Sequence, residues 1–240
     1  QNALASAQRV FAFLEEEEQR PEPEDARTVH SSHGQLTLEH GCFSYQKDRP
    51  LLKDLCLKAQ PGARIAIVGP TGCGKTTFLN LLLGKYEYSG TISAPGMEFQ
   101  YFPYEVGDKS RMTMEILEEI LPAEESWRIY KELNLLKVKE DVLFRPFDTL
   151  SNGEQTKTLL AALFAGESRF LLIDEPTNHL DAASRELVAE YLRGKQGFIL
   201  VSHDRHFLDG VVDHILSINR ADIEVQKGNF SSWQENRQRQ

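Results

Sequence analysis

Positive charge is in short supply. The chain has 27 lysines and arginines against 36 aspartates and glutamates, a formal net charge of −9. That balance argues against a broad nucleic-acid footprint and leaves room only for a local basic patch. Cysteine is also scarce. Cys42, Cys56 and Cys73 are unpaired by spacing and form no metal-binding pattern, so they fit a reducing, cytoplasmic compartment better than a disulfide scaffold. No apolar run approaches the roughly 18–20 residues that a membrane helix needs. The start does not read as a signal peptide, because residues 11–14 run straight into Glu15-Glu16-Glu17-Glu18. The 240 residues can bury a full core as one domain with subdomains, or two domains at most.

What the chain does have is Gly69-Pro70-Thr71-Gly72-Cys73-Gly74-Lys75-Thr76-Thr77, with the spacing G-x-x-x-x-G-K-[ST]. An apolar run, Arg64-Ile65-Ala66-Ile67-Val68, precedes it, and a helical run, Phe78-Leu79-Asn80-Leu81-Leu82, follows. Strand, glycine-rich turn and helix in that order are the context a phosphate-binding loop requires. Glycines let successive N–H groups face one anion, and the helix N-terminus adds partial positive charge. Lys75 is expected to reach the β- and γ-phosphates of a nucleotide, and the Thr76 hydroxyl to ligate Mg²⁺. The plainer alternative, a chance glycine-rich turn before a buried helix, is disfavoured by the register of strand and helix.

Two further strands end in chemistry. Phe170-Leu171-Leu172-Ile173 reads as a buried parallel strand that runs into Asp174-Glu175. Ligands in α/β sheets sit at such carboxyl ends. Asp174 is expected to hold Mg²⁺, and Glu175 to orient and deprotonate water, an effect typically worth about 10²–10⁴-fold. For an isolated Asp-Glu pair, capping of the next helix is the ordinary explanation. The second strand, residues 198–201, ends at Ser202-His203-Asp204. A lone histidine there is more often structural, but a strand beside the Asp-Glu strand would bring His203 near the γ-phosphate.

Around these motifs, residues 1–20 read as an amphipathic helix with an acidic end, and Pro21-Glu22-Pro23-Glu24-Asp25 as an extended linker. Alternating and aromatic stretches at 35–39, 42–45 and 51–57 predict strands of an antiparallel layer before the Pro61-Gly62 turn. In Phe43-Ser44-Tyr45 an aromatic ring could stack on a base or be an ordinary strand residue. Residues 91–93 and 99–102 read as short strands, residues 113–121 and 124–135 as mixed-charge helices, residues 214–219 with 222–226 as a closing hairpin, and 229–240 as a polar helix.

Taken together these residues resemble the nucleotide-binding domain of the ATP-binding cassette (ABC) family over nearly the whole chain. Leu150-Ser151-Asn152-Gly153-Glu154-Gln155 is similar to the family signature L-S-G-G-Q, with Asn for the first Gly. The run from Asp174 through Pro176-Thr177-Asn178-His179-Leu180 to Asp181 matches the Walker B strand and D-loop, His203 the switch histidine, and Tyr45 the adenine-stacking aromatic. The resemblance implies an α/β fold: a RecA-like P-loop NTPase core with an N-terminal antiparallel β subdomain and a helical signature subdomain. The expected division is 1–34 helix and linker, 35–60 antiparallel layer, 61–103 with 167–240 nucleotide core, and 104–166 helical subdomain. It implies ATP and Mg²⁺, and a head-to-tail dimer with itself or a homologous domain. Ser151 and Gly153 would then contact the partner's nucleotide, and Asn152 and Asp181 count among the implied nucleotide-binding residues. The further partner would be a membrane-embedded transporter subunit or a ribosome, and no direct DNA binding is expected. In one respect the pattern differs. The family places a glutamine after the strand, in a Y-x-P-Q setting, whereas this chain has Tyr101-Phe102-Pro103-Tyr104. Tyr104 can bond a water but is a poor Mg²⁺ ligand, and Gln100 is a weak substitute.

Two subfamilies share the likeness. Up to about residue 85 the chain resembles the ATPase half of a membrane exporter, including its Gln1-Asn2-Ala3-Leu4 start. From about residue 90 it resembles the ABC-F class, soluble two-domain proteins that act on ribosomes, some conferring antibiotic resistance. Ser202-His203-Asp204-Arg205-His206-Phe207-Leu208 and Gly228-Asn229-Phe230-Ser231-Ser232-Trp233 carry that second resemblance. Such a division suggests a chimera joined near residues 77–90.

Overall fold

In the computed structural model the described residues are 35–46, 49–121, 125–167, 169–218 and 223–238. The helix read over 1–20 and the linker at 21–25 lie outside them. The apolar runs make the centre of a six-stranded sheet. These are β3 (Arg64–Val68), β6 (Arg169–Asp174), β7 (Phe198–Val201) and β8 (His214–Ile218). With β5 (Glu98–Phe102) and β9 (Ile223–Lys227) the order is β5-β6-β7-β3-β8-β9, parallel throughout except for the β8–β9 hairpin.

Near-continuous hydrophobicity suits these central strands because both sheet faces are covered. Successive side chains divide between two cores. Ala66, Val68, Leu171, Ile173, Phe198 and Leu200 enter one. Ile65, Ile67, Phe170, Leu172, Ile199 and Val201 enter the other. The second core also takes α1 (Lys75–Leu82) and the antiparallel layer. The first takes α2 (Thr113–Ile120), α3 (Arg128–Leu135), α4 (Asn152–Ala165), α5 (Ala182–Arg193), α6 (Arg205–Val211) and α7 (Phe230–Gln238). Among the described residues of 104–166 there is no strand, only an isolated bridge between Met112 and Pro146.

The antiparallel layer differs in detail from the sequence expectation. The stretches at 35–39 and 42–45 form one strand, β1 (Leu36–Gln46), with an irregularity between Leu38 and Gly41. It pairs with β2 (Arg49–Ala59) and also with β4 (Ser89–Ser93). The layer therefore includes a strand that a boundary at residue 60 leaves in the nucleotide core. Gly90 makes this pairing feasible: its φ is +109°, and a Cβ there would lie 2.5 Å from the His40 carbonyl oxygen. Only a residue without a side chain tolerates that approach.

Two polar ties fix elements that matter to the site. Glu132 on α3, only 6 % exposed, accepts a 2.6 Å hydrogen bond from the Tyr191 hydroxyl on α5 and another from the Lys195 ammonium. At the start of β3, Asp213 accepts from the Arg64 peptide N–H and from Arg64 Nε, both at 3.0 Å. The Asp213 N–H returns a 3.0 Å bond to the Arg64 carbonyl, and His214 Nδ1 lies 2.6 Å from Oδ1. Burial alone would raise the Asp213 carboxyl, but the bonds from His214 and Arg64 outweigh it and hold the group below its usual range.

A carboxyl depressed in the folded state stabilises above its unfolded pKa and loses that contribution as pH falls through the folded value. Because the pair is about one-third exposed, screening limits its worth. We expect Asp213→Asn to cost about 1 kcal/mol near neutral pH. The gap from the parent should shrink below about pH 4, where the unfolded carboxyl also protonates. Urea unfolding at pH 7 and at lower pH reads this directly, and a gap independent of pH would count against an ionic origin.

Candidate functional site

The register of the parallel strands levels their carboxyl ends. Val201 pairs with Asp174 on one side and with Ile67 on the other. Three loops therefore leave the sheet along one edge: the phosphate loop after β3, Glu175 after β6 and His203 after β7. In the first, Gly72 and Gly74 have φ of +78° and +100°, left-handed conformations natural only to glycine. Gly74 is the N-cap of α1 and provides no side-chain cap, so the first N–H groups of the helix are open to an anion. Pro70, Thr71 and Gly72 form the exposed rim, whereas Cys73 (4 % exposed) fills space beneath the loop and Thr77 is buried. The Lys75 ammonium folds back onto the carbonyls of Gly69 and Pro70 at 2.9 and 3.3 Å. It also lines a cleft of about 420 Å³ with Gly69, Pro70, His203, Arg205 and Trp233.

Oxygen ligands meet at Asp174. Its Oδ2 accepts from the Thr76 hydroxyl at 3.0 Å, joining the phosphate loop to β6 across the intervening strand. The same oxygen accepts from the Tyr101 hydroxyl at 3.1 Å. Burial, then the charge and hydrogen bond of Asp174, push the Tyr101 phenol well above its usual range. Among the described residues no cluster of three His, Cys, Asp or Glu could hold an ion by itself. A hydroxyl and a carboxylate nevertheless fit Mg²⁺, which takes one or two protein oxygens together with nucleotide phosphates.

Glu175 turns out of the strand at φ +50° while its N–H donates to the Val201 carbonyl at 2.8 Å. A left-handed glutamate at a strand end is an uncommon, strained conformation. The His203 N–H donates to Oε2 at 3.4 Å. Oε1 is buried with no hydrogen-bond partner, although His203 Nε2 stands 3.5 Å from it in ion-pair range. Burial lifts the Glu175 carboxyl above the ordinary glutamate range, against the pull of the His203 N–H. An acceptor buried without a donor is costly unless something else donates to it.

The remaining expected residues are distributed differently. Tyr45 lies in β1, and its side chain is outside the described residues. Ser151 caps α4 in a capping box: its hydroxyl receives the Glu154 N–H, and the Ser151 N–H donates to Glu154 Oε2 at 2.9 Å. Asn152 and Gly153 belong to the first turn of that helix. Asn152 lines a separate groove with Tyr104 and His179. Asp181 caps α5 through the Ser184 N–H at 2.6 Å.

Neither candidate for the missing glutamine reaches the site. Gln100 donates to Glu98 at 2.6 Å. Tyr104 packs on the helical core, where burial and the nearby Glu119 charge raise its hydroxyl. Tyr101 and the capping role of Glu154 are what the sequence reading overlooked. The S-x-x-E spacing signalled the second. For the first, the signal was period-two alternation, which sets Tyr101 on the face opposite Gln100.

The sequence pattern of the ABC transporter family matches residues 52–178. This chain belongs to the ABC transporter family. ABC transporter F family member 5 of Arabidopsis thaliana is 32 % identical over 79 % of this chain and 28 % of its own length. ATP-binding protein Uup of Escherichia coli K12 is 37 % identical over 76 % of this chain and 30 % of its own. The fatty acid ABC transporter ATP-binding/permease protein of Mycobacterium bovis is 30 % identical over 96 % of this chain and 40 % of its own. The chain thus spans between 28 and 40 % of these relatives.

Among solved structures, a bacterial Atm1-family ABC exporter with ATP bound aligns at TM-score 0.69 and 18 % identity, over 98 % of this chain and 46 % of that one. A metal-chelate type ABC transporter in an inward-facing conformation aligns at 0.68 and 22 %, over 81 % and 83 %. Both likenesses concern the fold, and they agree with the mixed α/β sheet described above. ABC domains generally are ATPases that use ATP with Mg²⁺. Among the described residues of this ABC domain, no helix is long and apolar enough to cross a membrane.

One prediction concerns the start of the loop. A Cβ on Gly69 would lie 2.3 Å from the Ile218 carbonyl oxygen and 2.6 Å from Cys73 Sγ. Gly69→Ala must push the loop off β8, at about 1–3 kcal/mol of stability by analogy with overpacking. Nucleotide affinity should fall more than that of an alanine placed at the exposed Thr71. Calorimetric titration with ATP, paired with thermal unfolding, checks both parts.

Proposed function

We propose that this domain binds Mg·ATP at the carboxyl edge of its parallel sheet, closes head to tail on a second copy or a homologous domain, and hydrolyses the nucleotide to drive a conformational change in a transporter. The observation that carries this reading is the hydrogen bond from Thr76 to Asp174, beside Lys75 and beside a glutamate whose buried Oε1 lacks a donor.

The roles follow from the chemistry. N–H groups of Gly72, Cys73, Gly74 and Lys75 cradle the phosphates at the open end of α1. Lys75 leaves the loop carbonyls for the β- and γ-phosphates, and Tyr45 stacks on the adenine. Thr76 and Asp174 hold Mg²⁺, which when bound neutralises charge on the transferring phosphoryl group. Glu175 Oε1 accepts a hydrogen bond from the attacking water and takes its proton, a task that a raised affinity for protons suits. His203 stands beside that carboxylate on the γ-phosphate side. Ser151, Asn152, Gly153 and Asp181 complete the nucleotide site of the partner domain, with the N-terminus of α4 adding its dipole.

A second reading has its own support. Relatives named as ABC transporter F family members are 27–32 % identical to this chain, which favours an ABC-F-type engine working on the ribosome. Co-sedimentation with ribosomes under Mg·ATP distinguishes it from an engine for a membrane partner.

Phosphate release, measured per molecule over a wide range of protein concentration, tests the main proposal. Specific activity should rise with concentration, because each site needs the partner's signature. Glu175→Gln should lower it by about 10²–10⁴-fold while leaving nucleotide binding intact. A rate that is flat with concentration and equal to that of the variant would mean an ATP-binding, dimerising module without hydrolysis of its own.

A further inference from the structure

The Asp174 carboxylate is held asymmetrically. Oδ2 receives both the Thr76 hydroxyl at 3.0 Å and the Tyr101 hydroxyl at 3.1 Å, whereas Oδ1 receives neither. The two donors come from opposite sides. Thr76 lies at the start of α1. Tyr101 lies on β5, paired in parallel with Leu172, two residues before Asp174 on the adjoining strand. The Tyr101 ring is itself fixed. It packs on the core beneath the antiparallel layer, and the Lys85 ammonium lies 5.4 Å from its centroid, a cation–π distance. The residues that could compete for this position lie elsewhere: Gln100 bonds Glu98, and Tyr104 packs on the helical core.

We infer that Tyr101 is the positioning residue of the divalent-cation site: its hydroxyl anchors Asp174 Oδ2 from β5 and keeps Oδ1 presented to a hard cation that arrives with nucleotide. The inference rests on the function proposed above and deepens it. A neutral phenol suits this role. It donates to the carboxylate without adding a charge that would repel the metal or neutralise its ligand. It also ties the metal ligand to the strand that leads into the Pro103-Tyr104 turn. Loss of an outer hydrogen-bond partner of a metal ligand typically costs about 10–100-fold in metal affinity.

The test compares Tyr101→Phe with Tyr104→Phe, which loses a hydroxyl on a side chain packed against the helical core. Binding of a fluorescent ATP analogue is measured in EDTA and then in a Mg²⁺ titration, and Mn²⁺ binding to the nucleotide complex is followed by electron paramagnetic resonance. Tyr101→Phe should keep its metal-free nucleotide affinity and melting temperature, while the Mg²⁺ requirement rises and Mn²⁺ affinity falls by about 10–100-fold. Tyr104→Phe should leave both metal readouts at the parent value. Unchanged metal dependence in Tyr101→Phe, with nucleotide still bound, overturns the role of Tyr101 alone. A parent that binds no nucleotide with or without metal overturns the proposed function as well. Should Tyr101→Phe fail to fold, 3-fluorotyrosine at position 101 of the parent gives a second readout. Its fluorine resonance must shift when Mg²⁺ joins bound nucleotide, and a resonance that stays in place refutes the inference.

Discussion

The Thr76–Asp174 hydrogen bond joins two halves of a site that belong to strands not adjacent to one another, and most of the architecture can be understood as what makes it possible. β7 lies between β3 and β6, and its Val201 is in register with both Ile67 and Asp174. A slip of one residue in either pairing would turn each side chain on that strand to the other face. It would also carry Asp174 about 3.3 Å along the strand, beyond the reach of a threonine hydroxyl. The two-sided core prevents the slip. Leu172, Ile199 and Ile67 face one cluster and Ile173, Leu200 and Ala66 the other, so any shift exchanges well-packed residues on both faces.

That dependence explains why the fold was legible in the sequence. Uninterrupted apolar runs such as Phe198-Ile199-Leu200-Val201 demand burial on both sides, and the glycine spacing after β3 admits few backbone paths. The phosphate loop, the carboxylate strand and the histidine strand could therefore be ordered before any coordinates. Less legible was the antiparallel layer. Its third strand is recruited from beyond α1, and what permits the pairing is a close approach of Gly90 to His40, a contact between positions remote in sequence. Local pattern cannot reveal such a contact.

The same distinction separates the parts of the site that the sequence disclosed from those it concealed. Thr76, Asp174 and Glu175 stand in motifs whose spacing encodes chemistry. Tyr101 has no such motif. It reaches Asp174 because β5 pairs with β6, and because alternation turns Tyr101 toward the α1 face while Gln100 turns away. Position in the sequence pointed to Tyr104 and Gln100 in place of the missing glutamine, but the residue of this strand that bonds Asp174 is selected by face. Tyr104, beyond the strand and Pro103, is released from the alternation and joins the helical core instead.

Charge gives the arrangement its direction. The chain as a whole is strongly acidic, yet the residues that line the cleft beside the phosphate loop include Lys75, His203, Arg205 and Arg237 and not one carboxylate. Low-dielectric walls from Leu208, Phe230 and Trp233 stand beside Lys75, Arg205 and Arg237, and such walls focus the field toward the opening. A cationic concavity of this kind in an acidic chain would repel long polyanions while drawing in a small polyphosphate. The two carboxylates at the strand ends stand at the margin of that field. Asp174 accepts from two hydroxyl donors on one oxygen, whereas Glu175 keeps one oxygen without any. Under the proposed function, two neighbouring acids would thereby be set apart for different work, one to hold a cation and one to accept a proton.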